Sequence, residues 1–321
     1  MRSWLRDVLT LRKEPPRWEG VLLGVLCVAA CLAGWWFVTR GEAEARLISP
    51  IALPSPQETF SRLPELFTAE FDIVTNTLVT LRRVALGFLL AIAVGVPLGV
   101  LAGCYPRLQA FLAPVVMFGR NIPLAAVLPL LIFLFQGGEE RKVMFIFIAC
   151  VAFVVSDTAQ AVLDVASRYV DTAYTLGASR WQTILKVLVP LAMPAIFSSF
   201  RVMFGLAFGY IMLAESIRNP GDVGGLGYQI NIFQRRGLRE HIYLIILIIP
   251  LVALAVDSLL FWIQRQLFPH VYGGAGLLQR LVRVTLHGWD DLKRVFFTYE
   301  PPPTPAASHP ATSHSASEPR P

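Results

Sequence analysis

The sequence predicts an all-α polytopic membrane protein with about six transmembrane helices. Three observations carry that expectation. Hydrophobic residues make up 55% of the 321-residue chain and the mean hydropathy is +0.57, which is too apolar for a soluble domain. The apolar residues gather in runs long enough to cross a bilayer, which takes about 20 residues as a helix. The long polar interruption between two of these runs, residues 170–190, reads VDTAYTLGASRWQTILKVLVP and carries its own helix start and stop signals.

Residues 1 to 19 hold Arg2, Arg6, Arg12, Lys13 and Arg17, and a basic segment directly before the first span favours a cytoplasmic N-terminus. The apolar run Val21 to Thr39 follows and ends in Trp35-Trp36, suited to an aromatic belt at the outer interface. It lacks a clear small-x-small cleavage site and is expected to stay as an anchor. From Arg40 to about Asn76 the chain is polar, with Leu53-Pro54-Ser55-Pro56 and a short amphipathic stretch, Glu58 to Phe67, read as an outer loop with an interfacial helix. Arg82 and Arg83 are expected to snorkel at the outer surface.

The second span is expected over Val84 to Leu101. Its Gly87, Gly95, Gly99 and Gly103 recur every four or eight residues, a small-residue face that lets another helix approach closely. The third apolar region, Ala110 to Phe135, is broken at Arg120-Asn121-Ile122-Pro123. Such a break at membrane depth is tolerated where it faces protein or a water-filled cavity, which makes it a candidate pathway lining. Gln136 to Arg141 reads as an outer turn and Val143 to Val155 as the fourth span, continuing through Ser156-Asp157-Thr158. The fifth span, Leu191 to Ala214, contains Arg201 and ends in Glu215-Ser216. An outer loop then carries Asn219-Pro220-Gly221 and Gly224-Gly225-Leu226-Gly227-Tyr228, and the sixth span runs from Ile242 to Phe261. Six spans put both termini inside. Arginines in the proposed outer loops, among them Arg46, Arg62 and Arg239, run against the positive-inside rule.

After Gln264 the character changes. Leu277 to Phe297 has the pattern of an amphipathic helix on the membrane surface. Pro301 to Pro321 has the Pro, Ser and Ala content of a disordered tail. The organisation expected is therefore 1–52 (N-terminal segment, first span and start of the outer loop), 53–264 (core), 265–300 (amphipathic extension) and 301–321 (tail).

Composition also limits function. The net charge of +6, from 28 Lys and Arg against 22 Asp and Glu, orients loops in such a protein, and no nucleic-acid partner is expected. Cys27, Cys31, Cys104 and Cys150 lie in or at the ends of apolar runs without zinc spacing, so no metal is expected. The five histidines are scattered through loops and tail, against a membrane-bound enzyme.

The interruption at 170–190 reads as a cytoplasmic handle. Gly177 suits the left-handed position that ends one helix, and Ser179 with Gln182 forms a capping box for the next. That second helix is expected to stop at Pro190 and to carry Trp181, Ile184, Leu185 and Leu188 as its apolar stripe.

Here the residues resemble the inner-membrane permease subunits of bacterial ABC importers. Their mark is E-A-A, three residues, G, nine residues, I-x-L-P. It appears as Asp171-Thr172-Ala173, Gly177, then Val187-Leu188-Val189-Pro190, with Asp for Glu, Thr for Ala and Val twice for Ile and Leu. Leu53 to Pro56, Leu81 to Phe88, Arg120 to Pro123 with Leu128-Pro129-Leu130, and Ala214-Glu215-Ser216 with Gly225 to Tyr228 are similar to the branch that handles nitrate, sulfonates and taurine. The resemblance covers Leu53 to Gln264.

The resemblance implies a type I-like permease fold in a bacterial inner membrane and a pairing with a second copy. It also implies two cytoplasmic ATPase subunits, which bind ATP and Mg, and an extracytoplasmic solute-binding protein. The handle, with Asp171, Thr172, Ala173, Gly177, Ala178, Ser179, Trp181 and Pro190, would seat in a groove on the ATPase. The chain contains no G-x-x-x-x-G-K-[ST] loop, so it is expected neither to bind nor to hydrolyse ATP.

Ionisable residues within spans suggest function. Arg120, Asn121, Asp157, Arg201 and Glu215 are candidates for the pathway of a small anion, with Ser156 a further donor. The alternative is structural: Arg201 pairs with a carboxylate such as Asp157, Asp257 packs helices, and Glu215 and Arg120 lie near the interfaces. An ion-coupled secondary transporter is the alternative function, although no internal repeat of related halves is evident.

Overall fold

The computed structural model describes residues 16–42, 46–135, 138–217 and 224–272, and every regular element among them is helical. The basic residues before position 16, Asn219-Pro220-Gly221, and the proposed extension and tail lie outside the described residues. The chain divides into two units, Met1–Gln264 and Arg265–Pro321.

Helix α1 (Arg17–Thr39) is exposed along its length. Near its end the Trp35 indole donates to the Pro54 carbonyl at 2.9 Å and the ring lies 6.2 Å from that of Phe60. Helix α2 (Pro56–Ser61) starts on a capping box of Ser55 and Glu58, and a 3-10 turn follows at Leu63–Phe67. Helix α3 (Ile73–Cys104) extends beyond the expected 84–101 because Asp72 caps its start, accepting from the Thr75 amide at 3.2 Å.

Helices α4 (Pro106–Asn121) and α5 (Leu124–Leu134) are bent by 99° at the expected break. Helix α6 (Gly138–Leu163) takes in Glu139, Glu140 and Arg141, which the sequence suggests as a turn. Two carboxylates in the first turn favour a helix start there through its dipole. Helix α7 (Ser167–Thr175) leads to α8 (Arg180–Thr183), a π-helical stretch at Ile184–Leu188 and α9 (Val189–Ser216). The expected stop at Pro190 does not occur. Proline falls in the first turn of α9, where a helix has no use for its missing N–H, so the chain continues as one helix.

The loop after α9 also differs from expectation, because it contains α10 (Leu226–Arg236). Gly225 at φ +122° and Gly237 at φ +73° bracket it as start and stop. Helix α11 (Arg239–Leu267) follows, and the first unit ends within it at Gln264. In the second unit the described residues end in the short helix α12 (Pro269–Tyr272).

The glycine face of α3 packs on α6. A Cβ on Gly87 would meet Ile146, on Gly95 Val154, on Gly99 Thr158 and on Gly103 Val162, all at or below 2.7 Å. Each pair is 59 positions apart, so α3 and α6 run parallel in fixed register. Parallel neighbours require the chain between them to return across the bilayer. The bent pair α4–α5 is therefore one span and not a re-entrant hairpin, which makes six spans with α1, α3, α6, α8–α9 and α11. The core lies among α3, α6 and α9, with Phe88 edge-on to Phe200 and Phe204 at 5.9 and 5.8 Å. Helix α4 buries no residue, leaving Phe111, Val115, Met117 and Phe118 exposed.

Candidate functional site

At one end of the bundle the handle folds as its residues dictate. The Ala178 amide donates to Ala173 O and the Gly177 amide to Tyr174 O, both at 2.9 Å. That double bond closes α7 as a Schellman motif, with Gly177 left-handed at φ +80°. Ser179 Oγ accepts from the Gln182 amide, and Gln182 Oε1 accepts from the Ser179 amide at 2.9 Å. Ala173 is buried beneath the turn, and Asp171 and Thr172 are exposed.

The expected stripe splits. Ile184 is buried and Leu188 half-buried against the span ends, whereas Trp181 and Leu185 stand 60% and 62% exposed beside Leu176 at 82%. Within the π-helical stretch Ile184 faces the span ends and its neighbour Leu185 faces out. The handle therefore holds apolar side chains in water, with one anchor inward.

Within the spans the candidate charged residues fall into three groups. At the end carrying Ile73, Arg83 and Glu215 are both buried. Arg83 Nη1 donates to Glu215 at 2.8 Å and to the Gly224 carbonyl at 2.7 Å, and its other donors reach Glu139. Glu215 also accepts from Thr80 Oγ1 at 3.0 Å and from the Gly227 amide at 2.9 Å. The Leu226 amide donates to Thr80 Oγ1, and the Gly225 amide to Asn76 Oδ1. One carboxylate thus ties α3, α9 and the start of α10, and the arginine adds α6. The snorkelling expectation for Arg83 is corrected: burial of its guanidinium is offset by two carboxylates and a carbonyl. Sequence reading missed Arg83, Thr80, Asn76 and Glu139 as members of this knot. The signal was the glycine pair, since a Cβ on Gly225 would fall 2.6 Å from Arg83 and Glu215, and one on Gly227 2.7 Å from Met212 O.

Towards the handle, Arg201 makes two bonds to Asp257, at 3.0 and 2.7 Å, and a third to Gln264 at 3.2 Å. Its guanidinium lies 4.6 Å from the Phe261 ring centroid. The partner is Asp257 on α11 rather than Asp157, and the group clasps α11 to α9.

The third group faces open space. Arg120 Nη1 donates to Ser156 Oγ at 2.5 Å, and the guanidinium lies 5.0 Å from the Phe153 ring centroid. Asn121 Nδ2 donates to the Met117 carbonyl, and Asn121 lines a cavity of about 560 Å³ together with Arg120, Ser156, Gln109 and Gln160. Asp157, half-buried on the same helix as Ser156, is hydrogen-bonded to Ser199. Of the five candidates the structure thus brings Arg120 and Asn121 to a cavity, sets Asp157 beside them, and commits Arg201 and Glu215 to helix packing. Among the described residues no group of three His, Cys, Asp or Glu side chains is placed to hold a metal ion.

Residues 95–272 match the family model described as binding-protein-dependent transport system inner membrane component. The chain is 29% identical to the taurine transport system permease protein TauC of Escherichia coli K12, over 84% of this chain and 98% of that protein. It is 28% identical to the nitrate import permease protein NrtB of Synechococcus elongatus, over 79% and 92%. A probable ABC transporter permease of Brucella melitensis biotype 1 is 31% identical over 78% and 98%. Among solved structures, the inward-facing methionine ABC transporter MetNI aligns with a TM-score of 0.54 at 18% identity, over 61% of this chain and 95% of that one. An amino acid ABC transporter with histidines aligns at 0.50 and 18%, over 65% and 97%. These matches do not favour a gradient-driven carrier.

Proposed function

We propose a mechanism from the premise that this chain belongs to the family of inner membrane components of binding-protein-dependent transport systems. It is a multi-pass permease subunit of an ABC importer. Two copies form the pathway, two cytoplasmic ATPase subunits supply the energy, and an extracytoplasmic binding protein delivers the solute. The solute is a small anion, a reading supported by relatives named for taurine, nitrate and bicarbonate and by the arginine at the α4–α6 cavity.

The observation that carries this reading is the handle. Leu176, Trp181 and Leu185 present apolar surface on a short, doubly capped element, and such surface marks an interaction site. Closure of the ATPases around ATP pushes on this element, and the unbroken helix from Arg180 to Ser216 carries the push into the bundle. With the handle cytoplasmic, the parallel α3 and α6 descend towards it and α9 rises away. The start of α1 and the end of α11 then lie on the cytoplasmic side.

The test is a gentle detergent pull-down of the tagged chain from its native membrane with identification of the co-purifying proteins. Recovery of a P-loop ATPase supports the importer. Recovery of the chain alone, still active in gradient-driven uptake after reconstitution, overturns it. Gly177→Asp strains a left-handed turn by about 1–3 kcal/mol and sets a charge on the docking face. The variant is expected to reach the membrane at normal level but to lose ATP-driven uptake and ATPase recovery.

A further inference from the structure

The span arginines Arg83, Arg201 and Arg120 have partners that differ in kind. Arg83 is held by Glu215 and Glu139, and Arg201 by Asp257. Arg120 rests on a hydroxyl, Ser156, and on the face of Phe153. Among the described residues no carboxylate lies within ion-pair distance of it; Asp157, next to Ser156, acts on it only at longer range. Ser156 sits 18 positions from the start of α6 and 7 from its end, about 27 and 10 Å along the helix at 1.5 Å per residue, so this charge lies within the span. A cation within a span with no carboxylate in contact is costly and points to a role.

Arg120 and Phe153 also share a position that no other pair has among the described cavities. Both line the 560 Å³ cavity on one side and a second cavity of about 310 Å³ on the other, bounded by Ile122, Pro123, Tyr210 and Leu213. The second cavity opens at the 99° break between α4 and α5. The guanidinium and the ring are thus common to the linings of both cavities. At the adjacent Gly119 a Cβ would fall 2.9 Å from Ala152, so α4 meets α6 closely at this point.

We propose that Arg120 and Phe153 form a charge-selective partition in the solute pathway, where an oxyanion (a carboxylate, a sulfonate or nitrate) replaces Ser156 on the guanidinium as it passes from one chamber to the other. Planar guanidinium matches oxyanions with paired donors, and the ring holds it from behind without neutralising it. The neighbouring amides of Gln109, Asn121 and Gln160 suit the remaining acceptors and donors of a small solute. Asp157 is turned to Ser199; it repels an anion that overshoots the arginine and so limits how tightly the site holds its cargo. The inference rests on the reading that this chain lines a solute pathway.

The test is thiol chemistry in the assembled complex, after the four native cysteines are replaced by alanine or serine. Met117→Cys and Gln109→Cys each place a thiol in the larger cavity. Modification rates are compared for the sulfonatoethyl and trimethylammonioethyl methanethiosulfonates, which are alike in size and opposite in charge. The sulfonate is expected to react faster, and Arg120→Gln to lower the sulfonate-to-ammonium ratio by about tenfold, the effect of one nearby charge partly screened by water. Ser156→Asp, which gives Arg120 the fixed carboxylate that the other two arginines have, is expected to lower it similarly without removing the arginine. Arg120→Lys is expected to keep most of it. A ratio that neither Arg120→Gln nor Ser156→Asp changes, or thiols that neither reagent reaches, overturns the proposal. The readout needs no ATPase activity, so loss of the importer reading, seen as a failed pull-down, is distinguishable from loss of the partition.

Discussion

Glu215 shows how much a single side chain decides in this protein. Its two oxygens receive a guanidinium, a hydroxyl and an amide from three separate stretches of chain. Removing one partner of a buried pair leaves an uncompensated charge, and Glu215→Ala is expected to cost about 3–5 kcal/mol of stability, read as a lowered thermal midpoint in detergent. Glu215→Gln, which keeps the hydrogen-bonding shape, should lose less. Outside the spans, Arg46 hydrogen-bonded to Glu58, with the Ser55 amide in support, holds that carboxyl down at about 2 from its ordinary 4.5. A lowered carboxylate value means stabilisation that is full above about pH 4.5 and is lost as pH falls towards 2. Hydrogen exchange at the Ser55 amide, which donates to Glu58 at 2.8 Å, should therefore accelerate over that range, modestly because the side chain is partly exposed. Sequence reading located Glu215 but not Arg83, because pairing across 132 positions leaves no local pattern. A lone arginine near a span end looks the same whether it snorkels or is buried.

Among elements, the handle was legible in its caps and not in its continuation. Gly177, Ser179 and Gln182 each have one low-energy local solution, so their roles follow from type and spacing. Pro190 has two, stop or first turn, and the π-helical stretch before it selects the second. The glycine face of α3 was readable from spacing alone, because close helix approach leaves few alternatives to glycine. Helix α10 was not: it is short, and the glycines beside it suggest a loop.

For the whole molecule, the six-span count was legible from hydropathy, and the parallel register of α3 and α6 is what makes the bent pair a full crossing. The exposed apolar side of α4 is the surface where a second copy is expected to pack. Val115, 68% exposed on that side, provides the check. Val115→Cys, with the native cysteines replaced, should yield a disulfide-linked dimer under mild oxidation in native membranes. A monomer under conditions that label the thiol would count against self-pairing through α4.

The knot at Arg83 also has a consequence for how the protein is made. Its two acidic partners lie 56 and 132 positions downstream, so α3 enters the membrane well before either exists. At about 5–20 residues per second of synthesis, the arginine waits several seconds for Glu139 and longer for Glu215. During that interval it must reach for the lipid headgroups, the behaviour its sequence suggests. The nascent chain and the finished permease thus hold one side chain in opposite ways, and the ribosome's progress through α9 marks the moment when one arrangement gives way to the other.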